Sequence, residues 1–133
     1  MSYEYAGRGL NGAPTTEMFP LSGATASSAA ILITGTTAAA QTTAHTCDPN
    51  AGDAPYMRVD NVSAAAITVY GNIGSTATTG NRQWTISAGA FVVAYSYEVP
   101  MSGSGIFGFW VTATAGIYVS GNVSRFFTAS SAP

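Results

Sequence analysis

The run His45, Thr46, Cys47, Asp48 holds the only histidine and the only cysteine of the chain, and His, Cys and Asp are all metal-binding side chains. A thiol beside an imidazole can also act as a nucleophile. Zinc, however, normally takes four ligands, and beyond His45 and Cys47 the chain offers only scattered carboxylates. A Cys/His nucleophile further needs an orienting group and an oxyanion site converging on it, and adjacency along a loop supplies neither. The run therefore reads as a loop without metal or cofactor; a metal site assembled across subunits is the alternative.

The six carboxylates are Glu4, Glu17, Asp48, Asp53, Asp60 and Glu98. Two of them across an open face could hydrolyse a glycosidic bond, but they read more simply as isolated solvating charges. Asp48, Asn50 and Asp53 offer oxygen ligands for calcium, yet their spacing departs from the EF-hand loop and lacks its later glutamate. A turn uses the same residue types. The glycines between positions 101 and 108 precede neither a helix start nor a P-loop lysine. Asn61-Val62-Ser63 and Asn122-Val123-Ser124 fit the glycosylation pattern, which has meaning only behind a secretory signal. Trp84, Trp110, Tyr95, Tyr97 and Tyr118 could stack on sugar rings; at alternating strand positions they read as core. No catalytic residue is assigned, and the protein is expected not to be an enzyme.

Such residues must be positioned by a scaffold that is nearly devoid of charge. Of 133 residues, 8% are charged against about 25% in a typical domain, and Ala, Thr, Ser and Gly fill the difference. The length fits one core. There is no lysine, and Arg8, Arg58, Arg82 and Arg125 are too dispersed for a nucleic-acid footprint. A net charge of -2 gives little repulsion between copies, so a homo-oligomer, dimer or trimer, is expected. One cysteine excludes an intrachain disulfide. No run approaches the ~20 apolar residues that span a bilayer, and the start lacks the basic and apolar regions of a secretory signal. Synthesis in the cytoplasm and no membrane partner are the expectations.

Residues 1–30 contain Gly7, Gly9, Gly12, Pro14, Pro20 and Gly23 without a period of 2 or 3.6, which predicts an extended arm. Its Tyr3, Tyr5, Leu10, Met18, Phe19 and Leu21 would each forgo roughly 1.5–3 kcal/mol if left in water. The arm therefore lies either on its own domain or on a neighbouring subunit, and these six are the candidate contacts.

Residues 31–133 read as the β-sandwich domain. Ile31-Leu32-Ile33-Thr34 is a strand; 36–46 fits a strand, a loop or, through the helix formers Ala38-Ala39-Ala40-Gln41, a short helix, and is read as strand then loop; 47–55 is a turn-rich surface loop. Alternation in 56–62 and 67–70 predicts a hairpin, and 82–86 with 90–98 a second. Phe91, Val93, Tyr95 and Tyr97 share one face of the latter strand, which fits a core side. Strands at 106–112 and 117–120 follow, with a continuation of the last through Val123 to Phe127 as the alternative. Ile67-Thr68-Val69-Tyr70-Gly71-Asn72-Ile73 is echoed by Ile117-Tyr118-Val119-Ser120-Gly121-Asn122-Val123. The expected fold is all-β: a sandwich, jelly-roll or immunoglobulin-like, of about seven to eight short antiparallel strands behind the arm.

The segment from Tyr56 to Arg125 resembles small bacteriophage virion proteins of the head-decoration, or cement, type. The resemblance is carried by Met57-Arg58-Val59-Asp60-Asn61-Val62, Ile67-Thr68-Val69-Tyr70-Gly71-Asn72, the turn Thr85-Ile86-Ser87-Ala88-Gly89 into Phe91-Val92-Val93, and Ala113-Thr114-Ala115-Gly116-Ile117-Tyr118-Val119. It implies a sandwich on the outer capsid surface that joins major capsid protein subunits and pairs with copies of itself. A tail or neck structural protein, a carbohydrate-binding adhesin module and, last, a small hydrolase are the competing expectations.

Overall fold

The computed structural model describes residues 15–25, 29–74, 80, 82–98, 100–101, 105–112 and 116–127. Among the described residues there are nine strands: β1 (Thr15–Pro20), β2 (Ile31–Leu32), β3 (Thr42–Thr46), β4 (Gly52–Asn61), β5 (Ile67–Ile73), β6 (Arg82–Ile86), β7 (Phe91–Ser96), β8 (Ile106–Val111) and β9 (Ile117–Phe127). One sheet runs β1-β9-β4-β7, with β2 continuing along β9 beside β1; the other runs β3-β8-β5-β6. All pairings are antiparallel. The all-β sandwich is thus as expected. Since β1 and β2 follow one another along the edge of β9, nine strands fill eight positions. With those two counted as one, the chain crosses between sheets as a jelly roll does, not as an immunoglobulin sandwich does.

The core lies between the sheets. Met57, Val59, Ile117, Val119 and Val123 point inward from one sheet and Val69, Ile86, Phe107, Phe109 and Val111 from the other. The echoed heptapeptides form β5 and β9, each an inner strand of its own sheet. Both glycines serve close approach: a Cβ on Gly71 would come within 3.0 Å of the Trp84 ring, and one on Gly121 would collide with the Tyr56 carbonyl. At Gly71 the space is taken by the Trp84 and Phe109 rings, and at Gly121, with φ 155°, by the backbone of the neighbouring strand β4.

Several local expectations are corrected. Neither predicted hairpin exists: β4 and β5 lie in different sheets, as do β6 and β7, and the adjacent pair that does form a hairpin is β5–β6. The buried Asn61 explains the crossings. Its Nδ2 donates to the Ala65 and Ile86 carbonyls at 2.8 and 2.9 Å, and its Oδ1 accepts from the Ser63 N–H at 2.9 Å. Its own N–H donates to the Ala90 carbonyl and its carbonyl accepts from Gly89, both at 2.9 Å. One side chain and its peptide groups thereby hold the β4–β5 and β6–β7 arches together.

The face assignment of β7 also changes. Met57 pairs with Tyr95 but Arg58 with Val93, so Ala94 is the extra residue of a bulge. A bulge re-aims the side chains beyond it. Tyr95 is core, at 2% exposure, whereas Phe91, Val93 and Tyr97 are 51%, 42% and 41% exposed. Tyr97, just past the strand, has φ 48°, a left-handed conformation uncommon outside glycine.

The predicted surface loop 47–55 is partly interior: Cys47 and Asp53 are buried, and Gly52 already opens β4. Within 36–46 the expected order, strand then loop, is reversed: a single 3₁₀ turn, Ala38–Ala40, capped by Thr37, comes first and the strand β3 follows it. Here propensity for helix is realised only as one turn. The arm boundary at residue 30 falls too late, because β1 pairs with β9 from Thr15↔Phe127 to Pro20↔Asn122 and Leu21 is core.

Candidate functional site

The chemistry-bearing residues do converge. A register shift between Thr43 and His45 in β3 turns both Ala44 and His45 inward. There His45 meets Asp53 from β4, Arg125 from β9 and Cys47 from the loop between β3 and β4. Asp53 and Arg125 are direct cross-strand partners. Candidate ligand atoms of His45, Cys47 and Asp53 lie within 4.8 Å of one another, and all three residues are at most 2% exposed.

The hydrogen bonds decide what this cluster can do. The Ser22 N–H donates to His45 Nδ1 at 3.1 Å, which leaves the ring proton on Nε2, donated to Asp53 Oδ2 at 2.8 Å. Asp53 Oδ1 accepts from Arg125 Nε at 2.7 Å. Its Oδ2 also accepts from Arg125 Nη2 and from the Asp48 N–H, each at 3.1 Å. Arg125 reaches Asp48 as well, at 3.5 Å, and its guanidinium lies 4.4 Å from the centre of the Phe19 ring. Residues from β1, β3, β4 and β9 are thus tied at one point.

Protonation follows from this environment. Burial pushes the His45 pKa down, more than the neighbouring Asp53 raises it, so the ring is neutral. Burial alone would raise Asp53, but hydrogen bonds from Arg125, His45 and the Asp48 N–H outweigh it and hold the carboxyl below the usual range. Burial, seconded by the Asp53 charge, pushes the Cys47 thiol up to about 11.

A metal requires a deprotonated thiol and a free imidazole lone pair. Here the Nδ1 lone pair takes a peptide N–H, Nε2 donates to Asp53 Oδ2, and the carboxylate accepts four donors, so the imidazole and carboxylate atoms are already engaged. The same facts weigh against nucleophilic catalysis: the nitrogen that would take a proton faces a backbone N–H, not a nucleophile. The cluster acts as a clasp. Sequence reasoning missed it because Arg125 stands 72 positions from Asp53; the available signal was that so few charges exist at all.

The remaining carboxylates are placed separately. Asp60 pairs with Arg58 at 2.9 Å, Glu98 accepts weakly from the Ser96 N–H, and Glu17 is the β1 partner of Arg125. Asp48 Oδ1 caps the Asn50 N–H at 2.7 Å, which is turn chemistry, not a calcium loop; Glu4 lies outside the described residues. Of the aromatics, Trp84 tilts on Phe109 and Tyr95 meets Phe107 edge-on, both in or against the core. Trp110 stacks on Tyr70 on the other side of its sheet, beside a groove of about 420 Å³ lined also by Gly80, Arg82 and Gln83.

The six candidate contacts divide. Tyr3, Tyr5 and Leu10 lie outside the described residues. Leu21 is 1% exposed in the core of its own domain, and Phe19 packs against that core, so these two are occupied internally. Met18 is 57% exposed.

Met18 belongs to a larger feature that the sequence did not reveal. Strand register places Leu32, Tyr118, Asp60 and Phe91 in one row across the outer face of the β1-β9-β4-β7 sheet, and Ser120, Arg58 and Val93 in the next. Further along come Pro20, Asn122, Tyr56 and Ser96, then Met18 with Ser124, then Thr16 with Phe126. Tyr97 folds back over this face, stacking on Tyr56 and donating its hydroxyl proton to Asn122. Among the described residues, every exposed large apolar side chain except Val62 lies here. Compared with protein-family models, with curated proteins and with solved structures, the chain matches none.

Proposed function

We propose that this protein is a non-catalytic assembly subunit, specifically a decoration protein that binds the outside of a bacteriophage head and stabilises contacts between major capsid protein subunits. The observation that carries the assembly reading is the outer sheet face, where Met18, Leu32, Phe91, Val93, Tyr97 and Phe126 are exposed together. Exposed apolar side chains gathered on one sheet face among polar ones mark interaction sites. The capsid assignment draws on the resemblance of the stretch from Tyr56 to Arg125, and jelly rolls are common among capsid domains, a fold-level analogy. Tyr3, Tyr5 and Leu10 with Met18 supply the capsid contacts in this reading, and many copies on one particle gain by avidity.

The test is cosedimentation with heads purified from the same virus. The full chain should pellet with heads, and a chain lacking residues 2–14 should pellet less while keeping its β-sheet circular dichroism. Full occupancy by the shortened chain would refute the anchoring role, and no binding by the full chain would refute the capsid assignment. The Tyr70–Trp110 groove, with Arg82 and Gln83 beside a stacked aromatic pair, favours glycan binding as a second reading. Retention on a glycan array without head binding would support that instead.

A further inference from the structure

Two charges stand on the outer face of the β1-β9-β4-β7 sheet within its apolar field: Arg58 and Asp60, two residues apart on β4. Their side chains are 44% and 27% exposed. They pair with one another, and Arg58 also lies 3.8 Å from the centre of the Phe91 ring. Asp60 takes only the Nε and Nη2 donors of the guanidinium, and an arginine offers five N–H groups in a fixed fork. The face is therefore neutral overall but polarised along the strand. Among the described residues no strand lies over it, since the second sheet packs on the opposite side.

From this polarity we infer that the face is the interface of a two-fold symmetric homodimer, its axis lying across the strands between Arg58 and Asp60. The inference rests on the assembly reading above and names its partner: a second copy of this chain. In an isologous contact, residue i of one copy meets residue j of the other and the converse. An axis between positions 58 and 60 lays each Arg58 over the partner's Asp60. Because Arg58 is in register with Val93 and Asp60 with Phe91, the same operation lays each Phe91 on the partner's Val93. Leu32 and Tyr118 extend the apolar contact along the row. Two charges of opposite sign at this spacing make the face complementary to itself without any further device.

Only part of the face is covered. An axis between positions 58 and 60 sets residues 57–61 of β4 over the partner's 61–57, and four strands about 4.8 Å apart over five residues at about 3.3 Å each give a flat overlap of roughly 300 Å². Even with side-chain relief this stays below the ~800 Å² per partner of a standard interface, in the range of a weak, concentration-dependent dimer. Sheets stacked this way sit about 10 Å apart with strands within about 30° of alignment. The net charge of -2 per copy offers little opposition.

Sedimentation equilibrium on the full chain tests this directly. The wild-type protein should approach twice 13.5 kDa as its concentration rises, and Arg58→Asp and Asp60→Arg should each sediment as folded monomers, since like charges then face each other. An equimolar mixture of the two variants should recover the doubled mass, because the doubly acidic face of one meets the doubly basic face of the other. A merely intramolecular role for the ion pair predicts no such recovery. A wild-type monomer, variants that remain dimeric, or a mixture that stays monomeric would each overturn the inference. Head cosedimentation of the same samples separates the two claims: a monomer that binds heads defeats the dimer alone, and one that binds nothing defeats the assembly reading with it.

Discussion

Asp53 shows how much one carboxylate can carry in a chain this poor in charge. It is fully buried and receives donors from β3, β9 and the loop before β4. Breaking a buried pair by removing one partner leaves the others desolvated and unmatched, which typically costs about 3–5 kcal/mol. Asp53→Ala should lower the unfolding free energy by that order in a urea titration. The ion pair itself is not thereby net stabilising, since desolvation offsets the attraction; the variant measures the cost of orphaning its partners. The clasp also gives a pH signature. His45 is the only histidine, and its folded pKa lies below the ordinary 6.5. Above 6.5 neither state binds the proton; as pH falls below 6.5 the unfolded chain takes it up and the folded chain does not. Stability should therefore decline from pH 6.5 downward, with a limiting slope of about 1.4 kcal/mol per pH unit. The Asp53 contribution, whose folded pKa is depressed below the ordinary 3.8, holds above that value and is lost on further acidification. Chemical denaturation between pH 5 and 7.5 reads the first phase, and a flat profile would contradict a neutral buried imidazole.

Among the strands, composition and alternation were enough to locate most elements, because a half-wet strand writes its two faces into the sequence with period 2. Pairing was less legible. Short links such as Ser63-Ala64-Ala65 suit a hairpin as well as an arch, and what selects the arch is Asn61, whose partners Ala65, Ile86, Gly89 and Ala90 come from two separate connections. An asparagine in a strand carries no visible mark of that role. The bulge at Ala94 was hidden for a similar reason: an unbroken run of apolar residues from 91 to 95 gives no phase by which to detect one extra residue, so Tyr95 was grouped with Phe91 and Val93 on a face it does not share. Asn61→Ala should remove the donors serving two carbonyls and the acceptor serving Ser63. A cost of about 2–3 kcal/mol is expected for the unsatisfied buried groups, seen as a lower denaturation midpoint. Asn61→Asp should be at least as damaging, because it sets an acceptor against the Ala65 and Ile86 carbonyls. Equal stability of either variant with the wild type would show that the arches close without this residue.

At the scale of the molecule, closure depends on joining the first and last described strands. β9 lies between β1 and β4, and the pairing Thr15↔Phe127 spans nearly the full described length. Such non-local contacts form late and cost loop-closure entropy, so the sandwich gains β1 only once β9 is in place. This is why the sequence reads as an extended arm without a strand of its own: Thr15–Pro20 has little pattern, and its strand character is supplied by a partner more than a hundred residues away. The consequence separates two truncations. Removal of residues 2–14 leaves every described strand intact, whereas removal of residues 2–25 takes β1, the Phe19 ring against Arg125, the buried Leu21 and the Ser22 N–H that holds the His45 ring. Burial of Leu21 alone contributes roughly 1.5–3 kcal/mol, against a typical total of 5–15 kcal/mol for a domain. The longer truncation should therefore unfold at a markedly lower temperature or fail to fold, while the shorter one melts close to the full chain. Loss of head binding in the longer truncation would then report loss of fold, so the 2–14 deletion is the one whose binding defect speaks to the anchor. Equal melting temperatures for the two truncations would mean that the β1–β9 pairing contributes nothing to the stability of the sandwich.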